Sequence, residues 1–123
     1  MSKKIDSSVM DAALDKIATA TTAVFCSAEP ANYAGIAAVA LITKTGLTSG
    51  SYTKATGSTS NARKVTLAAQ TGMTPSANGT VTHVALHDGS TLLAVNTVTS
   101  QAVTTSQTWN SPAIVVWDIG QPT

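Results

Sequence analysis

The stretch Thr80-Val81-Thr82-His83-Val84-Ala85-Leu86-His87-Asp88-Gly89-Ser90-Thr91-Leu92-Leu93-Ala94-Val95-Asn96-Thr97 decides the fold. Two runs rich in β-branched and apolar residues flank Asp88-Gly89, a pair favoured in two-residue hairpin turns because both central residues need positive φ. The reading is a β-hairpin with a type I′ turn, His87 facing Ser90 and Leu86 facing Thr91. That register places Val84, Leu86, Leu93 and Val95 on one face and Val81, His83, Ala85, His87, Leu92 and Ala94 on the other. Neither face is fully polar, so both are expected to be covered in part.

More strand signals lie on either side. Thr21 to Ser27 reads as a strand stopped by Glu29-Pro30, and residues 31 to 35 as a loop or one helical turn. Ile36 to Thr43 fits strand or helix, since alanine dominates it. A Gly/Ser/Thr-rich surface loop from Thr45 to Ala62 holds one short strand around Ser51 to Lys54. Lys64 to Gln70 alternates as a strand, residues 71 to 79 form a loop, and Gln101 to Thr108 is a further strand. The last, Ala113 to Ile119, sets Ala113, Val115, Trp117 and Ile119 against Ile114, Val116 and Asp118, which puts Trp117 in the core. Short strands between Gly/Pro turns at this spacing predict an antiparallel β-sandwich or small barrel of about six to eight strands.

One helix precedes them. Val9, Met10, Ala13, Leu14 and Ile17 form a single apolar stripe over residues 6 to 18. Asp6 is a natural N-cap, because its carboxylate can accept from free amides of the first turn. The expected organisation is an N-terminal helix or arm over residues 1–20 and a β domain over 21–123. A 13-residue helix is marginal alone in water, so its stripe must be buried somewhere. The stripe, with Trp109 in its Asn110-Ser111-Pro112 loop, forms the candidate partner interface: Val9, Met10, Leu14, Ile17 and Trp109.

Composition excludes several functions. The 123 residues carry seven Lys/Arg against six Asp/Glu, and the basic pairs Lys3-Lys4 and Arg63-Lys64 are small, so no nucleic-acid partner is expected. The best apolar run, Ile36 to Ile42, falls far short of the roughly 18 residues of a membrane span, so no membrane partner is expected either. Asp6, Asp11 and Asp15 interrupt what would be the apolar part of a secretory signal, which points to synthesis in the cytoplasm. From Val65 to Thr123 only Asp88 and Asp118 are charged, while the whole chain has 21 Thr and 13 Ser. Such a surface is slow to repel a copy of itself, and it fits a protein living in a symmetric assembly.

No catalytic or cofactor constellation is legible. Cys26, the one cysteine, has no charge within two positions to activate it, and reads as a small buried hydrophobe. His83 and His87 have the H-x-x-x-H spacing, but on a strand their rings lie roughly 13 Å apart, too far for one metal. No G-x-S-x-G elbow or phosphate-cradling glycine pattern appears. The expectation is a non-enzyme with neither cofactor nor metal.

The chain resembles small proteins encoded among the virion genes of tailed bacteriophages. The resemblance rests on Cys26-Ser27-Ala28-Glu29-Pro30 with Tyr33, Arg63-Lys64-Val65-Thr66, Gly79-Thr80-Val81-Thr82-His83-Val84-Ala85-Leu86 with Asp88-Gly89, Thr91-Leu92-Leu93, Ser100-Gln101-Ala102-Val103 and Trp117-Asp118-Ile119. It implies a structural protein located in the virion: a capsid decoration or cement protein, with copies of itself and the major capsid protein as partners. The alternative is a neck, tail or fibre subunit. A different class, a carbohydrate- or partner-binding β module, would use Trp109 and the Tyr33 loop.

Overall fold

The hairpin forms, in a different register. In the computed structural model, which describes residues 5–57 and 62–119, β6 (Gly79–His87) pairs antiparallel with β7 (Leu92–Val103). His87 lies opposite Leu92 and Leu86 opposite Ala94, so the connection is the four residues 88–91 rather than two. The reason is the Asp88 side chain. Its Oδ1 accepts from the amides of Ser90 (3.1 Å) and Thr91 (2.9 Å), a side-chain-built turn that outcompetes the tight backbone one. Gly89 does take positive φ, +100°. At a second irregularity, between Val81 and His83, β7 runs two residues longer than β6, and Val81 joins the same core as Val84 and Leu86.

The hairpin belongs to a four-stranded sheet ordered β2-β1-β6-β7, with β1 at Thr22–Cys26 and β2 at Ala40–Lys44. The ambiguous alanine-rich segment divides: α2 (Ile36–Val39) is one helical turn, and β2 follows directly. Before α2, Tyr33–Gly35 is a turn of 3-10 helix whose free Gly35 amide is capped by Asn32 Oδ1. A second sheet, ordered β3-β4-β9, contains β3 (Tyr52–Thr56), β4 (Arg63–Leu67) and β9 (Ile114–Ile119). The expected strand to Gln70 stops at Leu67, and β5 (Gln70–Met73) pairs instead with β8 (Trp109–Ser111) as a two-stranded ribbon. The strand expected from Gln101 is the end of β7. The architecture is antiparallel, mainly β and sandwich-like, with an N-terminal helix.

The core lies between the sheets. Phe25, Ile42, Val84 and Leu86 of one meet Val65, Leu67 and Val116 of the other, all fully buried. At about 1.5–3 kcal/mol for each large apolar side chain removed from water, this layer dominates stability. Val24, Cys26, Ile36 and Ala85 form a smaller cluster on the opposite face of the first sheet, where α2 lies. Both hairpin faces are thus covered.

Helix α1 (Ser7–Ile17) starts where expected, with Asp6 Oδ2 accepting from the Ser8 amide at 2.9 Å. It packs on its own chain, touching β4 of one sheet and β7 of the other. Met10 and Leu14 are buried, and Ile17 joins the same core. Two ion pairs hold it: Asp11 to Arg63 Nε at 2.8 Å and Asp15 to Lys54 Nζ at 2.7 Å. The first is the more protected, both side chains being about a quarter exposed, so solvent screens it less. The Lys3-Lys4 pair lies outside the described residues.

Candidate interaction surface

The two sheets meet along one seam. β7 ends the first sheet and β9 ends the second, and the two do not pair as strands. Asn96 joins them. Its Nδ2 donates to the carbonyls of Val115 (2.9 Å) and Val116 (3.1 Å), while its Oδ1 accepts from the Thr97 amide. Asn96 sits opposite Val84 on β7, so the strand alternation aims its amide toward the second sheet.

On either side of Asn96 the seam opens. On one side, a cleft of about 440 Å³ lies between Ala13 and Ile17 of α1, Leu93 and Val95 of β7, and Trp117 and Ile119 of β9. Glu29 is the one ionisable residue on its wall. On the other side, an opening of about 510 Å³ runs between residues 97–101 of β7 and the chain from Trp109 to Val115. Trp117, 45% exposed, and Val115, 39% exposed, stand along this seam. An exposed tryptophan beside an apolar cleft is the kind of group that carries binding energy at protein interfaces.

The structure exchanges the roles expected for the two tryptophans. β9 holds one more residue than β4 between Val65 and Thr66, so Val116 turns inward, and Trp117, opposite Val65, is left at the open seam. Trp109 was the expected surface aromatic. Pairing of β8 with β5 sets it opposite Met73 and lays its ring edge-on to Phe25, centroids 4.9 Å apart. Only 9% of it is exposed. Of the other expected interface residues, Met10, Leu14 and Ile17 face the chain's own core, and Val9 alone is open, at 59%. The stripe is therefore not free to dock on a neighbour.

The remaining reactive side chains are held by local bonds. Cys26 is fully buried, donates to Val24 O at 3.5 Å, and lies opposite His83 in the β1–β6 ladder. Burial pushes its thiol up to about 11, so it keeps its proton at neutral pH. His83 Nδ1 contacts the Thr82 hydroxyl, and His87 Nδ1 accepts from the Gly89 amide at 3.1 Å. Both histidines lie on β6, as the strand reading requires. Tyr33 stands edge-on to His87, with centroids 5.0 Å apart. Asp118 is exposed, near the end of its strand. Among the described residues, no three or more His, Cys, Asp or Glu side chains come together as a metal site, and no helix is long and apolar enough to cross a membrane.

Of this surface the sequence reading found neither Trp117 nor Asn96. The signal for Asn96 was present, because an amide at a core-facing position must find partners, but it becomes visible only in the correct hairpin register. No family model matches the chain, and neither a curated protein nor a solved structure matches it.

Proposed function

We propose that this chain is a non-enzymatic structural protein of a bacteriophage virion, one that decorates the capsid and stabilises the assembled shell. The observation that carries the reading is the seam: exposed Trp117 beside an apolar cleft, with exposed Val115 at the neighbouring opening, on a chain with two charges in its last 59 residues. Desolvating a surface poor in charge costs less than desolvating a charged one, and a tryptophan seated in a partner's pocket contributes most where its surroundings exclude water. A standard interface takes about 800 Å² from each partner, roughly an eighth of the 6664 Å² this chain exposes. Binding the assembled shell better than the dissociated subunits stabilises the shell by mass action. The major capsid protein is the partner proposed for the Trp117 face.

The test is cryo-electron microscopy of particles made with the wild-type chain, with a Val115→Ser/Trp117→Ser chain, and with none. Wild-type chain at regular capsid positions, lost in the double variant while its circular dichroism is unchanged, supports the reading. Density at the neck, tail or fibre moves the chain to that part of the particle. Particles that carry no copy of it overturn the proposal.

A further inference from the structure

Asn78-Gly79 stands where the chain enters β6, away from the seam, and its chemistry is independent of any role in a virion. Of the five asparagines, Asn78 alone precedes a glycine. Asparagine is thermolabile because the next backbone nitrogen can attack its side-chain amide, and a glycine nitrogen, with no Cβ beside it, is the least hindered attacker. Three observations place this chemistry in the fold. First, Asn78 is exposed, so water reaches it. Second, its Oδ1 accepts from the Thr105 amide at 2.8 Å, which ties the start of β6 to the turn after β7. The two strands pair from the next residue onward, Gly79 opposite Val103. Third, a side chain at position 79 would crowd the buried Leu41, its Cβ lying 3.0 Å from Leu41 Cδ2, so packing favours glycine there. The acidic counterpart, Asp88-Gly89, is held back. Its carboxyl accepts from the amides of Ser90 and Thr91 and stays ionised, and a carboxylate resists nitrogen attack where a neutral amide does not.

We propose that Asn78 is a self-modifying site, converted slowly to aspartate or isoaspartate through Gly79, at a rate set by the hold of the Thr105 amide on its side chain. The Gly79 nitrogen gives up its proton and bonds to Asn78 Cγ. The Cγ–Nδ2 bond breaks, and the nitrogen leaves as ammonia. Water then opens the cyclic imide at one of its two carbonyls, leaving a carboxylate and an α- or β-linked backbone. Either product lowers the formal net charge from +1 to zero and adds a third charge to the nearly neutral stretch after Val65. A chain without net charge associates more readily. The α-linked product keeps an oxygen for the Thr105 amide. The β-linked product adds a backbone carbon just ahead of β6, whose Val81, Val84 and Leu86 lie in the core, and so loosens that end of the hairpin.

The experiment incubates the full chain at pH 8, folded and in concentrated urea, and follows it by isoelectric focusing and peptide mass mapping. The expected result is a first acidic form that maps to position 78, accumulating in the folded chain about tenfold or more slowly than in the unfolded one, because the end of the ladder must open first. Thr105→Pro removes the donor and suits the turn, since Thr105 is the second residue of the Thr104–Gln107 turn, where proline is favoured. It should speed conversion of the folded chain about two- to tenfold, the range of one ordinary hydrogen bond, and leave the unfolded rate unchanged. Should Thr105→Pro lose its fold, low urea added to the wild-type chain gives the same reading: conversion should accelerate in step with hydrogen exchange of the Thr105 amide. Asn78→Asp should unfold at the wild-type temperature. Four outcomes overturn the proposal: equal rates in the folded and unfolded chains; no conversion at position 78 in the folded chain while the unfolded chain converts; a first acidic form that maps to another asparagine; or conversion that a folded Thr105→Pro chain leaves unchanged or slows.

Discussion

Tyr52 shows how one side chain ties the helix–strand connection to the core. It is buried, and its hydroxyl donates to the carbonyl of Ala20 at 3.0 Å, where the chain leaves α1 for β1. Burial pushes its phenol up to about 12 from the usual 10. The unfolded chain ionises near pH 10 and the folded chain near 12. The contribution of Tyr52 to stability is therefore intact below pH 10 and is lost as pH rises from 10 to 12. Tyr52→Phe should abolish that alkaline loss and reduce stability at pH 7 by about 0.5–1.5 kcal/mol, because the Ala20 carbonyl loses its donor. Urea unfolding at pH 7 and at pH 11 checks both. At the seam, Trp117→Ser should cost less stability than Trp109→Ala, since Trp117 is 45% exposed and Trp109 only 9%; Trp109→Ala should destabilise by about 3–5 kcal/mol by emptying the space against Phe25. Thermal unfolding of the pair tests the exchanged roles of the two tryptophans.

At the scale of elements, the β6–β7 turn and α1 each make a separate prediction. Gly89 has φ +100° and open space around it, so Gly89→Val should cost about 1–3 kcal/mol through backbone strain alone. The amides of Thr91 and Ser90 hold the Asp88 carboxyl below its usual range. The turn's contribution is thus present above the ordinary carboxylate range and is lost as pH falls through the lowered value. Asp88→Asn should flatten that acid dependence in a stability–pH profile. For α1, Leu14→Ala should cost about 2–5 kcal/mol, and a chain lacking residues 1–18 should lose cooperative unfolding, because Met10 and Leu14 complete the core. Circular dichroism of the truncated chain is the check. Element identity was legible where a pattern was long: the helical stripe, the alternation of residues 80–97 and the apolar run before Ile119. Register was not, because it turned on side-chain chemistry at Asp88 and on an extra residue at Val115–Val116. Neither leaves a mark in hydrophobic periodicity, and each reverses which face a tryptophan or asparagine takes.

On the scale of the whole molecule, the antiparallel β architecture follows from the strand pattern, whereas the interaction surface depends on how two sheet edges fail to meet, which strand patterns do not encode. The charges are uneven along the chain: α1 is pinned by Asp11 and Asp15 to Arg63 and Lys54, and from Val65 onward only Asp88 and Asp118 are charged. The smaller cluster beneath α2 gives the molecule a clock. Cys26 is the chain's one thiol, fully enclosed and protonated at neutral pH, so an alkylating reagent reaches it only during an opening event. With iodoacetamide in excess, the rate should fall well below that of a free thiol. If lifting of α2 exposes the sulfur, the rate will be nearly independent of low urea; if the whole sheet must open, it will climb with urea as steeply as global unfolding does. Mass spectrometry counting one label per chain would then time the breathing of this fold in solution.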